Sequence, residues 1–320
     1  MGIVIDAFAH VMPKSFCELL LKDYPTLELK ELSTFTYFGD MQKRIRVLDK
    51  YKIDKQVLTL ARPTIWMGMP AKLVSKMTPI ANDAVAEVAG KYPGRFIPVG
   101  TLPVPSEEYL AEFDRCINKL GMAGIQIVSN INGKPLDDPA FKSFFARANA
   151  TKTPIWIHPQ LQKGWSQQYL LDKIFGWPFD TTIAMARLVF SGIMEEFPNL
   201  NIVVHHMGGM VPYFSERIKG FHGSSYMPRG NFVPLKKDPL VYFRRFYGDS
   251  VLNGAVHAFE CGYKFFGPRH SVFATDYPFG PKEGVDWTAG ALRQMRAIDI
   301  PQKEKELILS GNLMRIIKKR

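Results

Sequence analysis

The sequence predicts an α/β protein built as a closed (β/α)₈ TIM barrel, in a single domain that spans residues 1 to 320. Two observations predict it. Short β-rich segments recur at fairly regular intervals, and each is followed by a stretch whose apolar residues have helical spacing. Strand alternating with helix indicates a parallel sheet, and eight such units in a chain of 320 residues favour a closed barrel over an open doubly wound sheet.

The predicted strands are IVID (3–6), KQVLTLA (55–61), RFIPVGTL (95–102), AGIQIVS (123–129), PIWIH (154–158), NIVVHH (201–206), RRFYGDS (244–250) and HSVFATD (270–276). Helix-like stretches lie between them, such as residues 77–93, 106–121 and 180–198. Several of these stretches end at Gly or Pro, which stop helices. No repeat or low-complexity segment divides the chain.

Two long insertions follow strand 1 (residues 14–45) and strand 5 (residues 159–180). In a barrel such loops lie over the C-terminal rim, where active sites form. Both are rich in aromatic residues: Phe35, Tyr37, Phe38, Trp165, Tyr169, Phe175, Trp177 and Phe179. We interpret them as candidate lids over a pocket for a flat substrate. The alternative is that these rings only pack the insertions onto the barrel.

Composition narrows the class of protein. The hydrophobic content of 46% and aromatic content of 12% are those of a globular protein. The net charge is +11, but the basic clusters are short and scattered and no nucleic-acid motif accompanies them, so we expect no nucleic-acid partner. Three distant cysteines without a CxxC pair favour a reducing compartment. With no leader-like or membrane-spanning apolar run, we expect a cytoplasmic protein with no membrane contact.

Residues suited to catalysis fall at the C-terminal ends of four predicted strands. They are His10 after strand 1, His158 on strand 5, His205 and His206 on strand 6, and Asp276 on strand 8. In a barrel these ends meet on the catalytic face. Imidazole and carboxylate are the groups that a divalent metal takes from a protein in catalytic sites. The pattern therefore predicts a metal-dependent enzyme.

Four motifs carry a resemblance to a known family. IDAFAHVMP, PIWIHP, VVHHMGGMVPYFSERI and VFATDYPFG, in this order, resemble the amidohydrolase-related family of metal-dependent decarboxylases and hydrolases. Its members include aminocarboxymuconate-semialdehyde decarboxylase and γ-resorcylate decarboxylase. The resemblance extends to LILSGNLMRII (307–317), which is similar to the closing helix of that family.

The resemblance implies roles for individual residues. It implies that His10, His158 and Asp276 bind the metal and that His206, in the family's His-x-Gly-Gly motif, is the catalytic base or polariser. Asp276 is also the residue expected to move the proton. Strand side chains alternate, so we predict that His205 points the other way from His206, into the barrel wall.

Phe8 departs from the family pattern. The family has His or Glu at this position, whereas a phenyl ring cannot bind a metal. Three ligands plus water still suffice for zinc, so we expect a divalent metal, with zinc as the first choice and manganese as the alternative. A metal-free branch, in which the histidines bind substrate oxygens directly, stays open because of Phe8.

The reaction predicted first is non-oxidative decarboxylation of an aromatic or unsaturated carboxylic acid. We expect Arg62 to grip the substrate carboxylate with paired hydrogen bonds, and Trp177 and Tyr213 to contact its ring. The alternatives are metal-dependent hydrolysis of a lactone, ester or amide on the same scaffold, and a catalytically inactive barrel used for binding. Because family members form dimers, we expect a homodimer or a higher homo-oligomer.

Overall fold

The computed structural model describes residues 2–62, 66, 68–162, 164–222 and 233–317, and these residues contain strands and helices in alternation. The strands are β1 (Ile5–Val11), β2 (Lys55–Leu60), β3 (Phe96–Pro98), β4 (Gly100–Thr101), β5 (Ile125–Val128), β6 (Asn130–Ile131), β7 (Lys134–Pro135), β8 (Ile155–His158), β9 (Ile202–Val204), β10 (Tyr247–Asp249) and β11 (Ser271–Val272).

The α-helices are α1 (Lys14–Asp23), α2 (Leu27–Thr34), α3 (Met41–Tyr51), α4 (Ala71–Gly90), α5 (Leu110–Asn118), α6 (Lys142–Thr151), α7 (Trp177–Phe190), α8 (Ile193–Glu196), α9 (Ser215–His222), α10 (Pro239–Phe243), α11 (Val256–Phe266), α12 (Val285–Ala297), α13 (Gln302–Glu306) and α14 (Asn312–Ile316). None of the described helices is both long enough and apolar enough to cross a bilayer.

The main strands pair in parallel in two sheets. One has the order β1, β2, β3 and the other β11, β10, β9, β8, β5, β4. On one side the sheets are joined by the continuous segment of β3 and β4. On the other side the N–H of Ala7 donates to the carbonyl of Phe273 at 2.8 Å, and the N–H of His10 donates to that of Tyr277 at 2.7 Å. The prediction of an α/β protein with a parallel sheet is confirmed.

The structure corrects some predicted boundaries. Strand 1 was predicted over residues 3–6, but β1 extends to Val11, so His10 lies within the strand. The helix predicted over residues 180–198 divides into α7 and α8 at Gly192, which has a φ of 83°. Beyond the end of β11, backbone N–H groups donate to side chains instead of to a neighbouring strand. Ser250 Oγ accepts from the N–H of Ala274, and Asp6 accepts from the N–H of Thr275.

Apolar side chains on β8 and β9 divide between two clusters. An inner cluster, between the strands, includes Trp156 and Val203. An outer cluster, between strands and helices, includes the alternate residues Ile157 and Val204. Side chains two positions along a strand share a face. The polar residue that follows Val203 on the inner face is therefore His205.

Candidate metal and active site

His10 is held by the neighbouring strand. Its Nδ1 lies 2.9 Å from Oγ1 of Thr59, and that hydroxyl donates its own hydrogen to the carbonyl of Ala9 at 3.0 Å. A hydroxyl has one hydrogen, so Thr59 accepts from the Nδ1–H of His10. The lone pair of the neutral ring then lies on Nε2. This buried atom lies 3.1 Å from Oδ1 of Asp276 and has no hydrogen-bond partner with suitable geometry.

His158 ends β8 beside His10. Their ring centroids are 5.3 Å apart, and the His158 side chain is buried. Its Nδ1 lies 2.7 Å from the carbonyl oxygen of Pro159. A carbonyl only accepts, so Nδ1 carries the hydrogen and Nε2 carries the lone pair. Burial, followed by the nearby charges of His10 and His205, lowers the pKa of His158 well below its usual value.

The prediction that His205 points into the wall is wrong. Its Nε2 lies 3.3 Å from Oδ1 of Asp276, and its Nδ1 donates to Oδ2 of Asp249, the last residue of β10. The alternation of side chains was correct, but the wrong face was assigned to His205. β9 ends at Val204, and His205 continues the inner face of Val203. Burial opposes its positive charge, but the carboxylates of Asp249 and Asp276 outweigh burial and raise the pKa of His205 to about 10.

His206 begins a sharp turn. His206 and Met207 have φ values of 54° and 53°, in the left-handed region, which non-glycine residues adopt mainly at functional or strained sites. Gly209 allows the turn to touch α7, since a Cβ there would lie 2.2 Å from the carbonyl oxygen of Pro178. The His206 ring lies 4.3 Å from that of His205, and its buried Nδ1 has no hydrogen-bond partner. Burial and then the charge of His205 lower its pKa to about 3.

Aromatic rings line the histidines. The fully buried Phe8 ring lies 4.2 Å from the His205 ring and 5.4 Å from the His10 ring, centroid to centroid. On another side of His10, Phe279 packs edge-on at 5.3 Å. Phe38, from the insertion after β1, packs on Phe279 at 5.1 Å. The first insertion thus reaches the histidine cluster through two edge-to-face ring contacts.

Asp276 concentrates negative charge among these histidines. Burial alone would raise the pKa of its carboxyl, but the proximity of His10 and the hydrogen bond and positive charge of His205 outweigh burial and hold that pKa well below its usual range. The lone pair on Nε2 of His10 therefore faces an ionised carboxylate at 3.1 Å. Two electron-rich atoms at that distance repel unless a cation lies between them. These residues fit a divalent metal.

A network behind the cluster fixes its backbone. Buried Asp6 accepts from Nε2 of Gln56 at 2.7 Å and from the hydroxyl of Thr275, which precedes Asp276. Arg44, also fully buried, donates to Oε1 of Gln56 at 2.7 Å and to the carbonyl oxygen of His10. These bonds tie β1, β2 and α3 to the segment that carries Asp276.

Comparison with known proteins gives the family. The sequence profile described as amidohydrolase matches residues 20–317, nearly the whole chain. The chain belongs to the amidohydrolase family. This confirms the resemblance drawn from its four motifs.

Relatives of this amidohydrolase are carboxy-lyases. The 2-amino-3-carboxymuconate-6-semialdehyde decarboxylase of Dictyostelium discoideum is 28% identical, over 99% of this chain and 92% of the relative. The γ-resorcylate decarboxylase of Polaromonas sp. is 26% identical, over 93% of this chain and 91% of the relative. The amidohydrolase is therefore an enzyme, and the hypothesis of an inactive barrel used for binding has no support among these relatives.

Similar proteins of known structure are also decarboxylases. The 5-carboxyvanillate decarboxylase of Sphingomonas paucimobilis is 26% identical with a TM-score of 0.82, covering 98% of each chain. A mutant of the corresponding enzyme from Novosphingobium aromaticivorans, solved with manganese and 3-methoxy-4-hydroxy-5-nitrobenzoic acid, is 25% identical with a TM-score of 0.84, covering 97% of this chain and 95% of its own. Manganese, rather than the predicted zinc, is the ion in that relative.

The three residues predicted to contact the substrate occupy different positions relative to the histidine cluster. Arg62 lies two residues after the end of β2 with a φ of 52°, and it is close enough for its charge to act on the Tyr37 phenol of the first insertion. Trp177 begins α7, next to Pro178 at the His206 turn. Tyr213 is 77% exposed and packs on Phe214, so the structure does not bring it to the histidines.

Sequence reasoning missed three residues of the site. Asp249 is the next-to-last residue of a predicted strand (244–250), so the rule that selected Asp276 would also have found it. Thr59 and Phe279 carry no such signal, because a threonine within a strand and an aromatic in a loop are common everywhere in globular proteins.

Proposed function

We propose that this amidohydrolase is a metal-dependent, non-oxidative decarboxylase of an aromatic or unsaturated carboxylic acid, acting at one end of a closed (β/α)₈ barrel formed by residues 1 to 320. The observation that carries the proposal is the unpartnered Nε2 of His10 facing ionised Asp276, in a chain whose relatives are decarboxylases. The backbone hydrogen bonds from β1 to Phe273 and Tyr277 support the closed barrel. No comparable observation favours hydrolysis of a lactone, ester or amide.

His10, His158 and Asp276 are the proposed ligands of a divalent metal, zinc or manganese. The manganese in the carboxyvanillate decarboxylase structure favours manganese, and imidazole with carboxylate suits both ions. When bound, the ion supplies positive charge that attracts a substrate carboxylate and an oxygen beside it. Arg62, at the end of β2, supplies a second positive charge and two parallel donors for that carboxylate.

Asp276 is the proposed proton donor. Asp276 is ionised at rest, so it first takes a proton from solvent water or from a hydroxyl beside the substrate carboxylate. It then passes that proton to the carbon that bears the carboxylate, the bond from that carbon to the carboxylate breaks, and CO₂ leaves while the electron pair stays with the substrate. The low pKa of Asp276 makes its protonated form a strong acid, as transfer to a weakly basic carbon requires. His206, whose Nδ1 is buried without a partner, is proposed to stabilise charge on the substrate.

Phe38 and Trp177 belong to the two insertions that we propose as lids over a flat substrate. Four apolar side chains of the second insertion are each at least 55% exposed, which supports a homo-oligomer that covers them: Tyr169, Leu170, Ile174 and Phe175.

The three cysteines are unpaired, which supports a reducing, cytoplasmic location.

The test is CO₂ release by the purified protein, supplied with Mn²⁺ or Zn²⁺, from a panel of hydroxylated benzoic acids and unsaturated carboxylic acids. Lactones and esters are assayed in parallel for acid release. We expect CO₂ release that requires metal. Acid release without CO₂ would establish the hydrolase alternative, and activity in a protein that elemental analysis finds free of metal would establish the metal-free branch.

A further inference from the structure

We infer that His205 is a metal ligand and that it supplies the donor that Phe8 lacks at the neighbouring position. The inference rests on the metal site of the proposed function and adds a ligand to it. Nε2 of His205 and Nε2 of His10 lie 3.3 Å and 3.1 Å from the same oxygen, Oδ1 of Asp276. One ligand atom from each of these residues lies within 4.8 Å of the other two, which is the spacing of groups that share one ion.

The three imidazole rings are arranged as around a common point. Their centroids are 5.3 Å apart for His10 and His158, 5.9 Å for His10 and His205, and 6.0 Å for His158 and His205. Rings that bind one metal through nitrogens at about 2.1 Å have centroids roughly 5 to 6 Å apart. The centroid spacing therefore matches three histidines around one ion. The ligand atoms within 4.8 Å of one another are those of His10, His205 and Asp276, and His158 stands outside that set.

Each ring also has its second nitrogen anchored in the same manner. Nδ1 of His10 donates to Thr59, Nδ1 of His158 to Pro159, and Nδ1 of His205 to Asp249. Metal-binding histidines almost always donate their other N–H to an acceptor of this kind, which fixes the ring and presents Nε2 to the ion. His205 is therefore oriented through its Nδ1 hydrogen bond in the same way as His10 and His158, the two histidines already proposed as ligands.

Asp249 is the positioning residue for His205. It is fully buried, and its Oδ1 accepts the N–H of Val251 at 3.0 Å while Oδ2 accepts from His205. A carboxylate fixed by the backbone orients the imidazole more strictly than a mobile one. Phe8 lies on the other side of this ring, with its centroid 4.2 Å away, and offers no donor atom. A histidine at position 8 would present nitrogen to the same space.

The test measures Mn²⁺ affinity by competition with a chelator, in the wild type and in matched variants. We expect His205→Ala to weaken binding by at least tenfold to a hundredfold, since changes in the surrounding ligand shell already cost about that much. Asp249→Asn should weaken it by about tenfold. Phe8→His combined with His205→Ala should restore most of the lost affinity, whereas Phe8→Leu combined with His205→Ala should not.

The outcomes separate the inference from the proposed function. A wild type that binds no Mn²⁺ would defeat the proposed metal site itself. A wild type that binds Mn²⁺ while His205→Ala binds it within twofold, or two double variants of equal affinity, would overturn only the role of His205. Should the alanine variant fail to fold by circular dichroism, the Co²⁺-loaded wild type still decides: three shifted, exchangeable imidazole N–H signals in its proton NMR spectrum are expected, and two would overturn the inference.

Discussion

Thr59 on β2 accepts a hydrogen bond from Nδ1 of His10 on β1, with 2.9 Å between oxygen and nitrogen. Because the hydroxyl hydrogen is already donated to Ala9, the contact has one direction. A threonine on the adjacent strand thereby determines that Nε2 of His10 faces Asp276 as an acceptor. Orientation of a ligand by such a partner is usual at metal sites.

Thr59→Val should therefore weaken metal binding without removing a ligand. We expect Mn²⁺ affinity to fall by about tenfold, since His10 then lacks the acceptor that fixes its ring. Chelator competition measures the change. Thr78→Val is the matched control, because Thr78 is equally buried and donates to the carbonyl of Val74 within α4. Equal affinity of the two variants would contradict the role of Thr59.

Asp276→Asn should abolish CO₂ release. The amide has nearly the shape of the carboxylate, but it neither carries the proton to carbon nor supplies the negative charge that faces His10 and His205. We expect kcat to fall by more than about a hundredfold, on the scale of general acid catalysis. Asp286→Asn, at a half-exposed carboxylate paired with Lys282, should leave turnover unchanged. Residual activity near that of the wild type would exclude Asp276 as the proton donor.

Arg62→Gln should raise KM for a carboxylate substrate more than it lowers kcat. The substitution removes the guanidinium that binds carboxylate with two parallel hydrogen bonds, a contact worth about 1.5 to 3 kcal/mol or roughly tenfold to a hundredfold in binding. Steady-state kinetics provide the measurement, with the exposed Arg46→Gln as a charge-matched control. An unchanged KM in Arg62→Gln would remove this residue from the substrate site.

Asp6 should make the stability of the fold depend on pH. Burial raises the pKa of its carboxyl from 3.8 to about 6, despite the bonds from Thr275 and Gln56. The folded protein thus keeps this proton to a higher pH than the unfolded chain. The resulting stabilisation is complete below about pH 4 and is lost as pH rises through about 6, a change of roughly 3 kcal/mol.

Asp6→Asn removes this titration, although it also loses hydrogen-bond acceptors and should be less stable overall. Relative to the wild type, its free energy of unfolding should therefore increase by roughly 2.5 kcal/mol between pH 4 and pH 7. Urea unfolding at both pH values measures it. Parallel profiles of the two proteins would show that folding does not shift the pKa of Asp6.

Phe175→Glu should disrupt the proposed homo-oligomer. Phe175 is 60% exposed in the second insertion, and a charge there opposes burial in an interface between copies. Light scattering should find an oligomer for the wild type and a smaller species for the variant. Val241→Glu, at a residue that is 42% exposed on α10, serves as the control. A wild type that is monomeric at all concentrations would end the proposal.

Much of the site followed from the chain alone. The alternation of apolar strands with helical stretches predicts the parallel α/β arrangement, because the periods of 2 and 3.6 residues are local properties. His10, His158 and Asp276 were found because parallel strands bring their C-terminal ends to one face. The motifs around them also identified the family, which the match over residues 20–317 confirms.

Only the tertiary structure decided the place of His205. Alternation divides the side chains of a strand between two faces, but it does not say which face is the inner one. That choice depends on how Val203 packs in the inner cluster and on where β9 gives way to the His206 turn. The partners of His205 are equally non-local, since Asp249 and Asp276 lie 44 and 71 residues further along the chain. Contacts over such separations depend on the register of strands that meet only when the whole chain has folded.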